Sequence, residues 1–534
     1  MDLLPHTPRS VALPPRLIYY NDAHHFHAKR IDPPASRHLL HWPVDELLGT
    51  GVDVLVLGLG YGDVYFHDSR VGRVVGQGQQ VWDSFIDWRI LRVVETARAL
   101  GTDPLREVIA RGRQMGLPVF PSLKLQDSSP PGSPRCGRLK GERGATVCIG
   151  EEGRARWCYD FACEEVRQDK LAMAAEVLGD YQADGLELDF AFDAPYFRKQ
   201  EAALHMSLMS RFVAQVRALA DEEGRRQGRR IPLMARLSAD READLALGLD
   251  VEAWLGEGSV DWVVGQDDRI LLDTGVQEPW LAEAARDAGR SAYYRPPRRI
   301  YDERVGLPSV EMYRALAQTL RLQGYAGMYL GYLPWPLAER EYQILREAAY
   351  PEAHARRDKR YLLQPREGPP DGPTTTPHRR LPAALEEGRT LALSLHLADD
   401  VDSARRDGEM RRPVLTLRFA SFCVEDDLAI RCNGRDLPRQ DAEVTDERAL
   451  RMPIDLPAGM QLQAPLGMAA HWLRYELPPE LLRRGANGLE IEVRRLAPRA
   501  GFARSLSGME VQTRYRDFVR PQGLGVERIA PRGG

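Results

Sequence analysis

Two carboxylic acids stand two positions apart in a short apolar segment, where both could act on one substrate. They are Glu187 and Asp189, in segment 184–190. Successive side chains of a β-strand point to opposite faces, so the acids would share one face with Cα atoms about 6–7 Å apart. The opposite face would be apolar, with Leu186, Leu188, Phe190 and Phe192. Because unpaired carboxylates are costly to bury, this spacing favours a polar functional site over a purely structural network.

Eight short β-type segments alternate with helical patterns in the first two thirds of the chain, and these elements must position the acids. The segments cover residues 17–21, 52–57, 118–123, 185–190, 233–237, 260–264, 291–294 and 327–332. Helical periodicity is clearest at 163–181, 202–223 and 309–323. This alternation predicts a (β/α)8 barrel, a TIM barrel, over residues 15–355. The alternative is an open doubly wound sheet, but no glycine-rich nucleotide turn follows the first strand.

The residue pattern changes near residue 355, where helical periodicity gives way to a β-rich region. We predict a linker at residues 356–385, because the centre of this segment is rich in proline and glycine. Beyond the linker, β-type segments occur at 390–397, 414–419, 429–432, 472–477 and 488–494. We therefore predict an all-β sandwich over residues 386–525, so that an α/β barrel is followed by a C-terminal β domain.

Polar and aromatic residues recur where the predicted strands end. In a barrel, functional side chains project from the carboxyl ends of the strands and from the loops that follow. The candidate substrate-binding residues at these positions are Asp22, His24, His25, Asp63, Lys124, Asp127, Arg236, Asp268, Tyr294, Arg295, Tyr329 and Trp335. Sugars are held by hydrogen bonds to their hydroxyl groups and by flat rings against their C–H faces. The set is typical of a carbohydrate site, so a carbohydrate is the expected partner.

Several motifs add a family resemblance to this pattern. They are Tyr20-Asn21-Asp22 in the first strand, 42–47 before the second, 122–127 in the third, 181–190 in the fourth and 248–254 before the sixth. Through these motifs, the region of residues 15–350 resembles the family 10 glycosyl hydrolase-like barrel proteins. Segment 477–487 and the Asn433-Gly434 turn are similar to the β-sandwich that follows many glycosidase barrels. The resemblance implies a hydrolase of glycosidic bonds in oligosaccharides or polysaccharides, as in polysaccharide degradation.

A glycosidase of this kind needs a pair of carboxyl groups, one as acid and one as nucleophile or base. We predict Asp189 as one member, because it lies nearer the strand end than Glu187. Asp267, after the sixth strand, is the predicted second member, since the resemblance to barrels that cleave α-glycosides implies an acid/base there. Glu187 is the third catalytic candidate and would hold a sugar hydroxyl or orient Arg236. Alternatively, Arg236 pairs with Glu187 inside the barrel and makes Glu187 structural.

Two other functions fit parts of the same pattern. His24, His25 and Asp189 could bind a metal ion in a metal-dependent hydrolase or isomerase of a sugar. A barrel that has lost catalysis could bind carbohydrate without turnover. The three histidines between 24 and 27 lack a matched carboxylate pattern, so we predict neither a metal nor a cofactor.

The overall composition excludes some partners. The 534-residue chain has a formal net charge of −4 and 28% charged residues of both signs, which argues against nucleic acid or an anionic membrane as the main partner. We find no apolar run long enough to span a membrane and no visible secretory signal, so a cytoplasmic location is expected. Four of the six cysteines lie between Cys136 and Cys163, without zinc-knuckle spacing. A metal or a disulfide in that cluster is the less favoured alternative, and the sequence predicts no oligomeric state.

Overall fold

Eight parallel strands close into a barrel, as the alternating pattern predicts. The computed structural model describes residues 14–82, 84–267, 271–275, 279–300, 307–365, 381–446 and 470–516. The barrel strands are β1 (Leu17–Asn21), β2 (Val54–Gly58), β3 (Val119–Lys124), β4 (Leu186–Asp189), β5 (Leu233–Ser238), β6 (Trp262–Gln266), β7 (Ser291–Arg295) and β8 (Gly327–Gly331). Each strand pairs with the next along the chain, and β8 pairs with β1. The predicted (β/α)8 barrel is confirmed.

Helices connect the barrel strands. They are α1 (His24–Arg30), α2 (Arg37–Asp45), α3 (Phe85–Ala99), α4 (Pro104–Met115), α5 (Arg138–Arg143), α6 (Glu164–Gly179), α7 (Ala202–Gln227), α8 (Arg241–Ala246), α9 (Val251–Gly256), α10 (Trp280–Asp287), α11 (Val310–Leu322) and α12 (Glu339–Glu347). Local signals set their limits: Asp103 caps α4 by accepting a hydrogen bond from an amide of its first turn, and Gly116 ends it with a φ of 72°. Among the described helices, none has the length and apolar character needed to cross a bilayer.

Alternate residues of the strands fill the barrel interior in layers. An aromatic floor is formed by Phe120 of β3, Trp262 of β6 and Tyr293 of β7. The rings of Phe120 and Trp262 are stacked with centroids 5.3 Å apart, and Tyr293 lies 6.1 Å from Trp262. Above this floor the interior becomes polar, because Ser122 of β3 pairs in register with Glu187 of β4. The interior is therefore apolar at its base and polar toward the carboxyl ends of the strands.

The outer faces of the strands pack under the helices. Leu186, Leu188 and Phe190 belong to one continuous apolar core, as predicted for this face of β4. The ring centroid of Phe190 lies 5.1 Å from that of Trp254 in α9. Apolar contacts of this kind fix the orientation of β4, so that its intervening residues point inward.

Two antiparallel sheets form the C-terminal domain, which confirms the predicted β-sandwich. Its strands are β9 (Lys359–Leu363), β10 (Ala383–Ala384), β11 (Thr390–Leu397), β12 (Val414–Ala420), β13 (Asp427–Cys432), β14 (Arg435–Asp436), β15 (Glu443–Asp446), β16 (Ala470–Glu476), β17 (Gly485–Arg495) and β18 (Ser505–Thr513). One sheet has the order β9-β18-β12-β16-β15, with β10 beside β18, and the other has the order β11-β17-β13-β14. A short helix, α13 (Val401–Arg406), follows β11.

The predicted linker contributes strands at both of its ends. Strands β9 and β10 fall within 356–385 and pair with β18, while residues 366–380 lie outside the described residues. Strand β9 also contacts the barrel domain, since the Leu362 amide donates to Oγ1 of Thr274 at 2.7 Å. Ala315 of α11 is buried in the sandwich core. The two domains therefore share packed contacts, while the limits at 355 and 386 remain predictions.

Candidate functional site

Arg236 joins the two acids of β4 inside the barrel. Asp189 and Arg236 occupy paired positions on β4 and β5. The Nη2 atom of Arg236 donates a hydrogen bond to Oδ2 of Asp189, and its Nε donates to Oε1 of Glu187 at 3.4 Å. Both acids are fully buried, and Arg236 is 4% exposed. The strand alternation therefore places both carboxyl groups in the interior, where they share one buried cation.

Each acid also receives a hydrogen bond from a neutral donor. The Ser122 hydroxyl donates to Oε1 of Glu187 at 2.6 Å, and the Ala191 amide donates to Oδ1 of Asp189 at 3.0 Å. Burial raises the pKa of Glu187, and the charge of Asp189 raises it further, whereas Arg236 acts in the opposite direction. Glu187 therefore keeps its proton to higher pH than an ordinary glutamic acid, while both oxygens of Asp189 accept hydrogen bonds.

Lys124, at the end of β3, is a second buried cation of the interior. Its Nζ donates to the carbonyl of Gly60 at 2.9 Å and lies 4.4 Å from the ring centroid of Phe192. Burial lowers the pKa of Lys124, while the charges of Asp189 and Asp22 act in the opposite direction. Lys124 is therefore within electrostatic reach of an acid on β4 and of an acid that follows β1.

The position of Phe192 corrects a sequence prediction. Strand alternation predicted Phe192 on the outer face with Leu186 and Leu188, but its ring contacts Lys124 on the inner side. The reason is that β4 ends at Asp189, and the period of two holds only while the chain stays extended. Phe192 therefore covers an ammonium group, a contact that is favourable for an aromatic ring.

Tyrosine rings surround the guanidinium group of Arg236. Its Cζ lies 4.9 Å from the ring centroid of Tyr20 and 5.7 Å from that of Tyr329. The Tyr20 ring lies 5.6 Å from that of Tyr332, which is half-buried at the mouth of the barrel. Tyr20 was not among the predicted site residues. Its place on β1, two residues before Asp22, was the available signal, because alternate residues of a strand share a face.

On β6, the side chain that reaches Arg236 is that of Gln266. Its Oε1 accepts hydrogen bonds from Nη1 of Arg236 at 2.7 Å and from Nη1 of Arg295. The neighbouring Asp267 accepts a hydrogen bond from the hydroxyl of Tyr294. The Tyr294 ring belongs to the apolar core between strands and helices, so this predicted sugar contact points out of the interior. Gln266 stands at the predicted end of this strand beside Asp267, but it was not among the predicted site residues.

Two acids after β6 stay predictions, Asp267 as a catalytic residue and Asp268 as a substrate-binding residue. Asp268 lies outside the described residues. Asp267 is half-buried and held by Tyr294, whereas Asp189 is held by Arg236. The predicted pairing of Asp189 with Asp267 therefore remains to be tested by substitution.

Asp22, His24 and His25 cluster directly after β1. The Nδ1 atom of His25 is hydrogen-bonded to Oδ2 of Asp22, and the His25 amide donates to Oδ1 at 2.9 Å. The side chain of Asp22 is 3% exposed and that of His25 is 41% exposed, so the cluster lies at the mouth. Burial lowers the pKa of His24 to about 4. Burial opposes ionisation of Asp22, but its hydrogen bonds with His25 outweigh burial and lower its pKa.

This cluster also brings three possible metal ligands close together. One ligand atom from each of Asp22, His24 and His25 lies within 4.8 Å of the other two. Within the described ranges, no other group of three or more His, Cys, Asp or Glu residues meets this criterion. The six cysteines are free thiols, so the segment from Cys136 to Cys163 holds no disulfide. The metal site considered as an alternative combined His24 and His25 with Asp189, whereas the acid that lies close to both histidines is Asp22.

Three other predicted residues are engaged by different partners. Asp63 lies beside a small sheet that follows β2 and is bound by the ammonium group of Lys170. Asp127 accepts a hydrogen bond from Nζ of Lys140 at 3.2 Å. Trp335 packs against the apolar cores beside α1. The roles of these three residues in substrate binding remain predictions.

Comparisons with known proteins place the chain in no family. No family model matches it, and no curated protein matches it. Similar solved structures include a cycloisomaltooligosaccharide glucanotransferase of Paenibacillus sp., with TM-score 0.36 and 9% identity over 93% of this chain and 57% of that chain. Another is alpha-L-fucosidase isoenzyme 2 of Paenibacillus thiaminolyticus, with TM-score 0.40 and 13% identity over 64% of this chain and 50% of that chain.

A third similar structure is the alpha-galactosidase TtGalA of Thermus thermophilus, with TM-score 0.37 and 16% identity over 64% of this chain and 66% of that chain. The chain therefore spans 57% and 50% of the length of the first two proteins. Likeness at these TM-scores carries no argument about activity. The resemblance to the family 10 glycosyl hydrolase-like proteins remains a prediction.

Proposed function

We propose that the protein is a glycoside hydrolase that acts on an oligosaccharide or polysaccharide through carboxyl groups inside the barrel. The observation that carries this proposal is the contrast between Glu187 and Asp189. Both acids share one strand face and one arginine, yet Glu187 has a raised pKa while Asp189 accepts hydrogen bonds on both oxygens. A carboxyl group that holds its proton more strongly than usual, placed beside a second carboxyl group, is the arrangement that glycosidic bond cleavage needs.

In this proposal, Glu187 supplies the proton and Asp189 supplies the negative charge. The proton of Glu187 passes to the oxygen of the leaving sugar as the glycosidic bond breaks. Asp189 stabilises the positive charge at the anomeric carbon, either by attacking it or by activating a water molecule. Arg236 holds both acids in position. Glu187 thus replaces Asp267 as the second carboxyl group.

Residues around the mouth would bind the sugar. Gln266 and Arg295 are half-buried and carry hydrogen-bond donors for hydroxyl groups. Lys124 has three donors, of which one is used by a backbone carbonyl. The rings of Tyr332 and Phe192 offer flat apolar faces for the C–H faces of a sugar. The site therefore combines both modes of carbohydrate recognition with the two carboxyl groups.

A screen of aryl-glycosides and oligosaccharides tests the proposal, with the stereochemistry of the product read by NMR. The wild-type protein should cleave at least one substrate, and Asp189→Asn should not cleave it. Because loss of this carboxylate leaves the buried Arg236 with less compensating charge, thermal unfolding must show that the variant is still folded at the assay temperature. Asp68→Asn is the matched control and should keep full activity, because Asp68 is an exposed acid paired with Arg98.

The other outcomes identify the alternatives. An inactive Asp267→Asn beside a Glu187→Gln that still cleaves oligosaccharides would return the chemistry to the pair predicted from the sequence. Binding of glycans without turnover would contradict hydrolysis and favour a carbohydrate-binding barrel. Turnover that is lost in the presence of a chelator would favour a metal-dependent hydrolase.

A further inference from the structure

We propose that Asp22, His24 and His25 bind one divalent transition-metal ion at the mouth of the barrel, with Zn²⁺ as the best-matched ion. The proposal goes beyond glycoside hydrolysis and does not depend on it, because these residues are separate from Glu187 and Asp189. It starts from the convergence of three ligand atoms within 4.8 Å of one another.

The spacing of these atoms suits an ion after a small closure. Zinc bonds to histidine nitrogen and carboxylate oxygen are about 2.0–2.2 Å long, so ligand atoms of a tetrahedral site lie roughly 3–4 Å apart. The observed separations are at most 4.8 Å. A bound ion would draw the three ligand atoms slightly closer together.

The types of donor atom select the class of metal. Two imidazole groups and one carboxylate suit first-row transition metals such as zinc. Magnesium and calcium prefer sites made of oxygen atoms and are poorly matched. Three protein ligands leave at least one coordination position for water or for a hydroxyl group of a substrate.

A turn in the backbone brings the three side chains together. Ala23 has a φ of 58°, a conformation that residues other than glycine rarely adopt. Its amide donates a hydrogen bond to Oδ1 of Asn21 at 2.9 Å, which holds the turn. Asp22 precedes this residue, and both histidines follow it in the first turn of α1. The conformation therefore sets the acid and the imidazole groups close to one another.

One atom of the cluster is buried without a partner. The Nε2 atom of His24 has no hydrogen-bond partner in the described part of the chain. Buried polar atoms are usually satisfied, so an exception calls for a physical cause. A metal ion bound to this nitrogen would satisfy it.

The surroundings place the ion where a substrate enters. The His24 ring lies 4.7 Å from the ring of Tyr61, and the His25 ring lies 5.7 Å from that of Tyr332. The 41% exposure of the His25 side chain gives the ion a route from solvent. A bound ion would therefore sit between two aromatic walls of the mouth.

Equilibrium dialysis of the full chain, first stripped with EDTA, against Zn²⁺ tests the proposal. The wild-type protein should bind one ion per chain at this site, and Asp22→Asn and His24→Ala should bind it at least about tenfold more weakly. His38→Ala is the matched control and should bind like the wild type, because His38 is exposed and outside the cluster. Thermal unfolding of each metal-free variant checks that it is folded.

The free cysteines are competing zinc ligands, and Co²⁺ distinguishes them. Cobalt bound by Asp22, His24 and His25 should show visible d–d absorption without the near-ultraviolet band of a cobalt–thiolate bond. A thiolate band, no stoichiometric zinc in the wild type, or wild-type affinity in both Asp22→Asn and His24→Ala would overturn the proposal. Hydrolysis by the metal-free protein bears on the glycosidase proposal alone, so the two proposals fail independently.

Discussion

Asp189 and Arg236 face each other in register across β4 and β5 and are joined by a charge-assisted hydrogen bond from which solvent is excluded. The same guanidinium group also contacts Glu187 at 3.4 Å and Gln266 at 2.7 Å. Removal of one partner from a buried ion pair leaves the other charge uncompensated, which costs far more than the pair itself contributes. The charge balance of the interior therefore depends on Arg236.

Arg236→Met should destabilise the fold by about 3–5 kcal/mol at neutral pH, because two acids lose their shared buried cation. The loss should be smaller at acid pH, where protonation of the acids removes the uncompensated charge. Urea unfolding at two pH values measures both effects. Arg241→Met removes an exposed pair with Glu252 and should leave stability unchanged. An equal loss at both pH values would show that Arg236 acts by packing alone.

Glu187→Gln should change the pH profile of hydrolysis on the alkaline side. Because the pKa of Glu187 is raised, its carboxyl group keeps its proton to a higher pH than an ordinary glutamic acid does. A poor leaving group needs this proton, so activity should fall only when Glu187 ionises. The glutamine variant should therefore lose activity on oligosaccharides. It should retain activity on aryl-glycosides whose leaving group needs no proton, without a decline on the alkaline side. An alkaline limb that persists in Glu187→Gln would assign the proton donor to another residue.

Ionisation of the Glu46 side chain should make the folded protein less stable as pH rises. Burial raises its pKa from an ordinary value of 4.5 to about 7, although Arg30 opposes the shift. The folded state therefore binds the extra proton between pH 4.5 and 7, and the cost of ionisation reaches about 3 kcal/mol above that range. Glu46→Gln should stabilise the protein at pH 8 and have little effect at pH 4, as measured by urea unfolding. A stabilisation of equal size at both pH values would show that ionisation of Glu46 is not the cause.

Gly185→Ala should destabilise the barrel by about 1–3 kcal/mol, because an added methyl group overpacks the core. A Cβ at Gly185 would lie 2.3 Å from the ring of Phe120, which is part of the stacked floor. Gly256→Ala is the matched control, since its Cβ would meet no atom within 4 Å and alanine is favoured in a helix. Thermal unfolding of both variants measures the difference. A Gly185→Ala variant as stable as the wild type would mean that the Phe120 ring can move.

Local periodicity was enough to predict most of the fold. The eight predicted strands coincide with β1 to β8 within about two residues, because alternation and apolar runs are properties of neighbouring residues. The same argument correctly turned Glu187 and Asp189 inward. It failed at Phe192, where the strand had already ended. It also missed β9, since a strand inside a predicted linker is recognised only through its pairing with β18, far along the chain.

The sequence by itself determined which elements form and which way their side chains face, since both follow from interactions between close neighbours in the chain. Only the tertiary structure decided which charges meet. Arg236 bridges two acids of another strand, while Asp63 is engaged by Lys170, 107 residues away. Gln266, and not the adjacent acid, reaches the interior. The partner of a buried charge depends on long-range packing and desolvation, which no local pattern encodes.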